Sequence, residues 1–568
     1  MTLAGWGEGP VEVEGIPCRL EVPFPAKDVV VYVLDSIGNR MARLRVTTAG
    51  ERATFDIGPE DKSLWYELIV GKDAAYGYGP YSRSVPVVLD VNSGTGHYTT
   101  ELSLTNRNSV AVLASLRYQA SLGKMLGSGE VSQPLTPGQQ LIIPNVIEYL
   151  RDKGLSIPSS TEDPAQGGVL AVRFEGSASE GAVAVAARTA TTTVSPQPVG
   201  TAGLSYSGIL PSSSTSTATL YGLRQNSNDR SNVAVFSVTP DPVTVRVTAH
   251  DGAGTGRTVL IRESEQIPPF GWTQFNRILE GTGIPQGWVT IEQTGGTGMF
   301  GAYGVINDNV TSDGSFVPPV LGVVAGQTIT VPVVVESPSF RSELVLANRS
   351  SAAVTLTMSY TESLSPGRGE GGTFPLQLGP KEQRIIPDAV DFLRRSGIQI
   401  GPLDAATYAG ALRIRVDGAS LSEIFACART AAQSKAGGQF GLFTPGVFSK
   451  EYGESGAFLY GLRSDERRRT NVALLNAEDA AGSVTLEIWI FDGDRSGAPT
   501  GSPETVTLRP GQWHQINDPL KPKGVRNGWA HVARVSGAAR WIAYAVVNDG
   551  ANPGERTGDG AFVEMIPE

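Results

Sequence analysis

The sequence predicts an all-β protein: a string of immunoglobulin-like antiparallel β-sandwiches with short helices, built by internal duplication. Three observations predict this class. The chain is rich in turn residues, with 68 Gly and 37 Pro among 568 residues, which favours many short strands over long helices. Apolar and polar residues alternate with period two in many short segments. A long stretch of sequence also returns about 240 residues later in the same order.

The duplication is visible in several motifs that keep one register. The run "YGLRQNSNDRSNVAVFSV" from Tyr221 returns as "YGLRSDERRRTNVALLNA" from Tyr460, and "ELSLTNR" from Glu101 returns as "ELVLANR" from Glu343. A fainter similarity inside each copy predicts one unit that is present four times. We therefore predict five domains: an immunoglobulin-like domain at 1–82, and sandwiches A1 at 83–205, B1 at 206–325, A2 (a copy of A1) at 326–445 and B2 (a copy of B1) at 446–568.

The alternation predicts half-buried strands in each of these domains. In "VTVRVTAH", Val243, Val245 and Val247 point to one side of a strand while the intervening residues point to the other. About seven such strands per unit are what a two-sheet sandwich needs. The first 80 residues lie outside the repeat, but their four alternating runs predict a small sandwich of their own.

One short helix is predicted in each A segment. In "NVIEYLRDKG", Asn145 is placed to cap the helix, Glu148 follows three residues later and Gly154 can end it. Ile147 and Leu150 share one face. A helix this short is stable only when packed, so we expect it to cover one end of the sandwich.

Composition excludes some classes of function. The net charge of −10 argues against nucleic-acid binding, because no excess of cations is present to displace phosphate counterions. The longest apolar stretch, 316–336, contains three prolines and reads as two strands, so no membrane span is expected. The start "MTLAGWGEGP" has neither the basic nor the apolar region of a signal peptide.

No motif announces an enzymatic reaction. The chain has four histidines, no G-x-S-x-G turn and no clustered zinc ligands. His514 corresponds to Thr273 in the other copy, so a shared histidine mechanism would lack its base there. We therefore predict a protein that is not an enzyme.

Two resemblances bear on the setting. The segment "VYVLDSIGNR…ATFDIGPEDKSLWYELIV" resembles the small sandwich domains attached to secreted bacterial glycoside hydrolases. The units that carry "YGLRQN…DRSNVAV" and "AYGVINDNVTSDGSFVPP" resemble repeat modules of large secreted or surface-attached bacterial proteins. These resemblances imply an extracellular or cell-surface location and a bacterial source. They transfer no catalytic residue.

Oxygen-rich loops are the candidates for a metal. We expect no cofactor, with calcium as the alternative, because carboxylate and amide oxygens chelate calcium but neither loop follows the EF-hand pattern. The same residue types favour Asx turns, which is the interpretation we prefer. The candidate ligands are Asn307, Asp308, Asp313, Asn548, Asp549 and Asp559.

Aromatic residues are the first candidates for binding a ligand. Trp489 in "LEIWIFDG" falls on the polar side of its strand, where the first copy has Thr248. An outward aromatic ring can stack on a sugar or a partner; the alternative is that a neighbouring module covers it. Tyr76, Tyr78 and Tyr81, between the first domain and A1, are further candidates.

The loops after the repeated "YGLR" motif are the second candidates. Such loops can bind a ligand while the sheets hold them rigid. They can equally dock against the preceding unit, and we favour this junction interpretation because "YGLR" stands at a boundary between modules. The residues concerned are Arg224, Asn226, Asp229, Arg230, Arg463, Asp465 and Arg467.

The function expected from these observations is non-catalytic: adhesion, display or spacing outside the cell, with a polysaccharide or a cell-surface protein as the partner. One alternative is a set of accessory, carbohydrate-binding modules of a carbohydrate-active enzyme. A second is a self-associating filament or surface-layer subunit, since edge strands and repeated junctions can pair between molecules.

Overall fold

The protein is described here from a computed structural model, which covers residues 16–34, 40–70, 81–93, 96–176, 180–193, 200–210, 215–239, 241–296, 298–321, 328–364, 371–401, 406–417, 420–434, 437–478, 481–495 and 497–568. The chain divides into two compact units, Met1–Ser82 and Arg83–Glu568. The described residues contain two α-helices, each of seven residues, and antiparallel sheets elsewhere. The predicted all-β class is confirmed. None of the helices in this part of the chain has the length and apolarity of a membrane span.

The first unit contains two small antiparallel sheets. One has the strand order β1-β5-β4 and the other β3-β2-β6, and buried Val29, Val31, Ala53 and Phe55 form the core. The strands are β1 (Cys18–Val22), β2 (Val29–Leu34), β3 (Arg40–Arg43), β4 (Thr47–Ala49), β5 (Arg52–Ile57) and β6 (Trp65–Val70).

The second unit contains the four repeated segments, for which we keep the names A1, B1, A2 and B2. The strands from A1 are β7 (Ser82–Ser93), β8 (Gly96–Asn106), β9 (Val112–Leu122), β10 (Gly129–Leu135), β11 (Gln140–Ile143), β12 (Ala165–Glu175), β13 (Val183–Thr193) and β14 (Gly200–Ser207). Those from B1 are β15 (Thr217–Arg224), β16 (Asp229–Ser237), β17 (Val243–Asp251), β18 (Thr258–Ile267), β19 (Trp272–Phe275), β20 (Gln286–Gly296), β21 (Phe300–Asp308), β22 (Gly314–Val317) and β23 (Val320–Leu321).

The second copy repeats this series. The strands from A2 are β24 (Thr328–Glu336), β25 (Phe340–Asn348), β26 (Val354–Glu362), β27 (Gly371–Leu378), β28 (Glu382–Ile386), β29 (Tyr408–Asp417), β30 (Ile424–Gln433) and β31 (Gln439–Pro445), with β32 (Val447–Phe448) just beyond the predicted boundary. Those from B2 are β33 (Gly456–Arg463), β34 (Arg468–Asn476), β35 (Val484–Asp492), β36 (Glu504–Leu508), β37 (Trp513–Asn517), β38 (Asn527–Ser536), β39 (Trp541–Asp549), β40 (Gly560–Glu564) and β41 (Ile566–Pro567).

All four segments share one topology. B1 has a five-stranded sheet, β18-β17-β20-β15-β23, facing a four-stranded sheet, β19-β16-β21-β22, and B2 repeats both orders. A1 and A2 have the same eight-strand order, but a hairpin between their first two strands joins the two sheets into one. The predicted internal duplication, including the fainter repeat inside each copy, is therefore present in the strand order.

The alternation that predicted the strands is also present. In β17, Val243, Val245 and Val247 are fully buried in the B1 core, while the residues between them are half-buried. This is the arrangement of a strand with one face on the core and one on the outside.

The two helices lie where the sequence places them. Helix α1 (Val146–Asp152) is capped by the Asn145 side chain, which accepts from the Glu148 backbone N–H. Helix α2 (Ala389–Arg395) is capped in the same way by Asp388. The inner-face residues Ile147, Leu150, Val390 and Leu393 are fully buried, so packing stabilises both helices.

Within the second unit, the four segments contact one another in a closed circuit. Consecutive segments pack as chain order suggests, but B2 also packs against A1, at the other end of the unit. The residues in contact are Tyr206 with Tyr303 for A1–B1, Tyr221 with Phe425 for B1–A2, Ala409 with Trp513 for A2–B2, and Ala184 with Tyr460 for B2–A1. The linear order of the modules is therefore closed by a fourth interface.

Four edge strands meet at the centre of this circuit. They are β14, β22, β31 and β40, one from each segment, and each contacts the two neighbouring ones. An exposed edge strand carries unpaired backbone groups that invite pairing with other chains. Here the four edges are instead placed against one another, and we call them the central strands.

Candidate functional site

Two junctions related by the duplication contain most of the candidate residues. Junction 1 lies between B1 and A2, and junction 2 lies between B2 and A1. At each of them, a buried glutamine from the A segment binds the "YGLR" motif of the B segment. Gln140 Oε1 accepts from Gly461 N at 2.7 Å, and Gln383 Oε1 accepts from Gly222 N at 2.8 Å. The repeated motif is therefore a junction motif.

The glycine of the motif is required by its backbone conformation. Gly222 and Gly461 have φ angles of 74° and 75°, a left-handed conformation that other residues adopt only with strain. Both lie at a break in the register of the strand, which turns the N–H away from the sheet and toward the glutamine. The preceding Tyr221 and Tyr460 are buried in the junctions.

The arginine of the motif forms the charged part of each junction. Arg224 binds Glu343 of A2 through two hydrogen bonds of 2.7 and 2.6 Å. At junction 2, Glu101 of A1 lies 3.5 Å from Arg463 and 3.0 Å from Arg468. The "YGLR" arginine of B1 thus pairs with the segment that follows B1, and that of B2 lies beside A1. The expectation that these loops dock against the preceding unit is therefore wrong, because their ion pairs reach A2 from B1 and A1 from B2.

The other loop candidates lie around these ion pairs. Asn226 Oδ1 accepts from the backbone of Asn228 and Asp229, and Asp465 Oδ1 accepts from Arg467 N; both are turn contacts. The Arg230 guanidinium donates to Asp308 O and Asn309 Oδ1. Arg467 is exposed.

Each junction carries an open cleft, and the charged groups that predominate in the two clefts have opposite signs. The junction 1 cleft has a volume of about 590 Å³ and contains Arg224, Asp229, Asp308 and Glu343. The junction 2 cleft has a volume of about 320 Å³ and contains Glu101, Arg188, Arg468 and His97. Burial raises the pKa of Asp229 and lowers the pKa of Arg468. Acidic groups outnumber Arg224 in the junction 1 cleft, and Arg188 and Arg468 outnumber Glu101 in the junction 2 cleft.

The candidate calcium ligands receive hydrogen bonds from the protein. Asp308 accepts from the backbone N–H groups of Val310, Thr311 and Gln439. Asp549 accepts from Thr201 N and from the Thr557 hydroxyl, and these bonds lower its pKa against the effect of burial. The side chains of Asn307 and Asn548 each donate to a carbonyl two residues earlier.

Asp313 and Asp559 form a buried pair among the central strands. The Gly203 N–H donates to both carboxylates at 3.0 Å, and Gly441 N donates to Asp313 at 2.7 Å. Arg188 pairs with Asp559 at 2.9 Å. Burial raises the pKa of Asp559 to about 7, and burial together with the neighbouring Asp559 raises that of Asp313 well above its ordinary value. The pair therefore holds a proton in the folded state.

These contacts give the calcium hypothesis no support. Across the described ranges, no three His, Cys, Asp or Glu side chains are grouped in a way that could hold a metal ion. The six candidate residues instead satisfy the edges of the central strands and the turns beside them.

Trp489 lies on the outward face of β35, on the side that the alternation indicates. It is partly buried, and its Nε1 donates to Glu487. Its strand neighbours are His531 and, beyond it, Phe458. We call the outward ring-bearing residues of this sheet the aromatic face: Phe458, Tyr460, Trp489, Phe491, Trp529 and His531.

A1 covers only one end of the aromatic face. The Arg107 guanidinium lies 3.8 Å from the Phe458 ring centre, and the Tyr460 hydroxyl donates to Gly181 O. A cleft of about 370 Å³ remains between the segments, lined by Arg107, Asn108, Phe458, Phe491, Trp529, His531 and Glu568 among others. His531 lines this cleft, and Trp489 is its partner on the adjacent strand.

The first copy keeps part of this face, as Tyr221, His250 and Trp288, but lacks the row that contains Trp489. The row Trp489–His531–Phe458 in B2 corresponds to Thr248–Thr290–Thr219 in B1, in the same strand register. The sequence analysis singled out Trp489 but missed Phe458 and His531. The signal that would have found them is the same comparison of the two copies, applied to the strands paired with β35.

The tyrosine candidates give less information. Tyr76 and Tyr78 lie outside the described residues. Tyr81 is partly buried.

Comparison with known proteins shows no family for this chain. No protein-family model matches the chain, and no curated protein matches it. Structures of alpha-2-macroglobulin align with it at 9% identity. That of Escherichia coli, activated by porcine elastase, covers 96% of this chain and 52% of that one with a TM-score of 0.10. That of Salmonella, reacted with methylamine, covers 97% and 45% with a TM-score of 0.12. The chain spans about half of these structures, and TM-scores this low carry no argument.

Proposed function

We propose that this protein is a non-catalytic, extracellular glycan-binding protein whose binding surface is the exposed end of the aromatic face and the cleft beside it. The observation that carries the proposal is the change from three threonines in B1 to Trp489, His531 and Phe458 in B2 at identical positions of one sheet. The setting outside the cell rests on the resemblances described above.

The chemistry of the cleft suits a sugar. Flat aromatic rings offer an apolar face to the C–H side of a sugar ring, and polar groups around them can bind its hydroxyls. The cleft supplies both kinds of group, since Phe491 and Trp529 line it beside Arg107, Asn108 and Glu568. Its volume of about 370 Å³ falls in the range of small-molecule sites.

The closed circuit favours display of a surface over spacing. A line of modules extends the reach of a protein, whereas a contact from B2 back to A1 shortens it. Carbohydrate-binding accessory modules of an enzyme would use the same aromatic face. That alternative therefore shares the binding site and differs only in a catalytic domain that would work with it. Self-association through the edges of the A segments is disfavoured, because their outer strands β10 and β27 contain Pro134 and Pro375.

Affinity electrophoresis on a panel of soluble polysaccharides tests the proposal. Retardation by at least one polysaccharide is expected, together with roughly tenfold weaker retention of Trp489→Ala, because one aromatic stacking contact contributes about 1 kcal/mol or more. Thr248→Ala, the same position in B1, is the matched control and should behave like the wild type. Equal retention of the two variants, or none of the wild type, would contradict the proposed site. Glycoside turnover abolished by one carboxylate substitution would contradict a non-catalytic role.

A further inference from the structure

A second cavity lies among the central strands, away from the aromatic face. Its volume is about 320 Å³, and residues from all four segments line it. Two pairs related by the duplication, Leu204 with Leu442 and Phe316 with Phe562, contribute much of the wall, and Pro318 adds to it. Engineered apolar cavities about half this size bind benzene. The space is therefore sufficient for an organic molecule of about ten heavy atoms.

One acidic side chain interrupts the apolar wall. Glu564 lines the cavity, and its side chain keeps an exposed surface. Its counterpart in B1 is Pro318, so the carboxyl group is present on one side only. The Ser207 side chain hydrogen-bonds to it.

The carboxyl group of Glu564 lacks a countercharge. Among the described residues, no Arg, Lys or His side chain forms a salt bridge with it, and Glu451 is the neighbouring charge that acts on it. Burial and this like charge raise its pKa. Arg83 also lines the cavity, but its electrostatic effect falls on Tyr460. A carboxylate that borders an apolar wall and has no cation paired with it among the described residues favours a ligand that supplies one.

We propose that the central cavity binds an amphipathic organic amine, with its ammonium group on Glu564 and its apolar body between Phe316, Phe562 and the two leucines. The ammonium group supplies the missing countercharge and a charge-assisted hydrogen bond to the carboxylate. Aromatic rings beside the carboxylate also attract a cation. An anionic amphiphile of the same size would instead meet the repulsion of Glu564.

Three eight-carbon probes with different heads test this proposal: octylamine, octanol and octanoate. Each is titrated into the full chain, and binding is followed by calorimetry and by the shift in melting temperature. Octylamine is expected to bind most tightly, octanol more weakly and octanoate least. In Glu564→Gln, octylamine affinity should fall at least about tenfold while octanol affinity is unchanged, because only the charged head loses its partner. Glu504→Gln, an exposed acid of the same segment, is the control.

A cavity-filling variant separates this site from surface binding. Leu442→Trp places a ring in the space, so octylamine and octanol should both lose binding, while melting of the unliganded variant shows whether it folds. Three results would overturn the proposal: no thermal shift with any probe, an equal octylamine affinity in Glu564→Gln, or a preference for octanoate. Retained glycan binding by the same variants would show that this cavity and the aromatic face act independently.

Discussion

Junctions 1 and 2 are built from the same parts but differ in how the chain reaches them. B1 and A2 are consecutive in sequence, whereas B2 and A1 are joined only through the rest of the circuit. The glutamine of junction 2 is nevertheless the better bonded. Gln140 donates to Asn527 Oδ1 at 2.7 Å and to Gly528 O at 2.8 Å, while Gln383 donates to Leu223 O at 3.4 Å. The shorter glutamine hydrogen bonds therefore belong to the interface without a covalent connection.

The two junctions differ in the number of arginines that pair with the glutamate of the A segment. Glu343 has one arginine, Arg224, held by two short bonds, and position 229 beside it is acidic. Glu101 has two arginines at longer distances, because the position equivalent to Asp229 is Arg468. Junction 1 therefore depends on one ion pair, and junction 2 spreads the same role over two.

The largest expected effect is the loss of Arg224. Arg224→Ala leaves the partly buried Glu343 carboxylate without a partner, and breaking a largely buried pair in this way costs about 3 kcal/mol of unfolding free energy. In Arg463→Ala, Arg468 still pairs with Glu101, so the free energy of unfolding should fall by only about 1–2 kcal/mol. Urea unfolding of the two variants measures the difference. Arg395→Ala, which removes an exposed ion pair, is the control and should change stability by less than about 0.5 kcal/mol. Equal losses in the two junction variants would refute the comparison.

The next effect concerns the glutamines. Gln140→Ala leaves Gly461 N and the Asn527 side chain without partners, which should cost about 2–3 kcal/mol. Gln383→Ala leaves only Gly222 N without its partner, and we expect the free energy of unfolding to fall by about 1–2 kcal/mol. Hydrogen exchange at the two glycine amides locates the effect, because each variant should accelerate exchange at its own junction. Faster exchange at both junctions in each variant would mean that they open together.

A third effect is the pH dependence that the central pair gives to the circuit. Because Asp559 has a pKa of about 7 when folded and near 3.8 otherwise, the folded state holds the proton more tightly. This contribution to stability is complete below about pH 4 and is lost as the pH rises through about 7. The melting temperature should fall by roughly a few degrees between about pH 5 and 8. Asp313→Asn removes one of the coupled charges and should flatten this profile, whereas the exposed Asp417→Asn should leave it unchanged. A steeper profile in Asp313→Asn would contradict the assignment.

The elements that the sequence predicted are those with a local signal. Period-two alternation predicts strands such as β17. The capping residue Asn145 and the apolar residues after it predict α1. Both signals are local, because backbone geometry and burial repeat over a few residues. The closure of the circuit has no such signal. Gln140 and Asn527 are 387 positions apart, and nothing in the pattern around either residue indicates the other.

The candidate site was predicted in part for the same reason. Trp489 could be placed on an outward face from its own strand, but the aromatic face depends on β33 and β38, whose pairing with β35 is a property of the sheet. Asp313 and Asp559 have the sequence context of surface turns, yet the meeting of four edge strands buries them completely. Burial of that kind arises from the assembly of the segments.

The smallest effect on stability should come from Thr248→Trp, the first step in transferring the aromatic row to the first copy. Thr219→Phe, Thr290→His and Thr248→Trp would rebuild in B1 the row that B2 carries. Thr248 is partly exposed, so Thr248→Trp alone should change stability by less than about 0.5 kcal/mol, whereas Thr219 and Thr290 are buried and must repack against A2. If the aromatic row is what binds glycan, the triple variant should gain a second site, seen as a doubled stoichiometry in calorimetry with the polysaccharide that B2 retains. A folded triple variant that still binds one equivalent would show that the A1 side of the cleft, where Asn108 stands in place of Ser350 of A2, is as necessary as the rings.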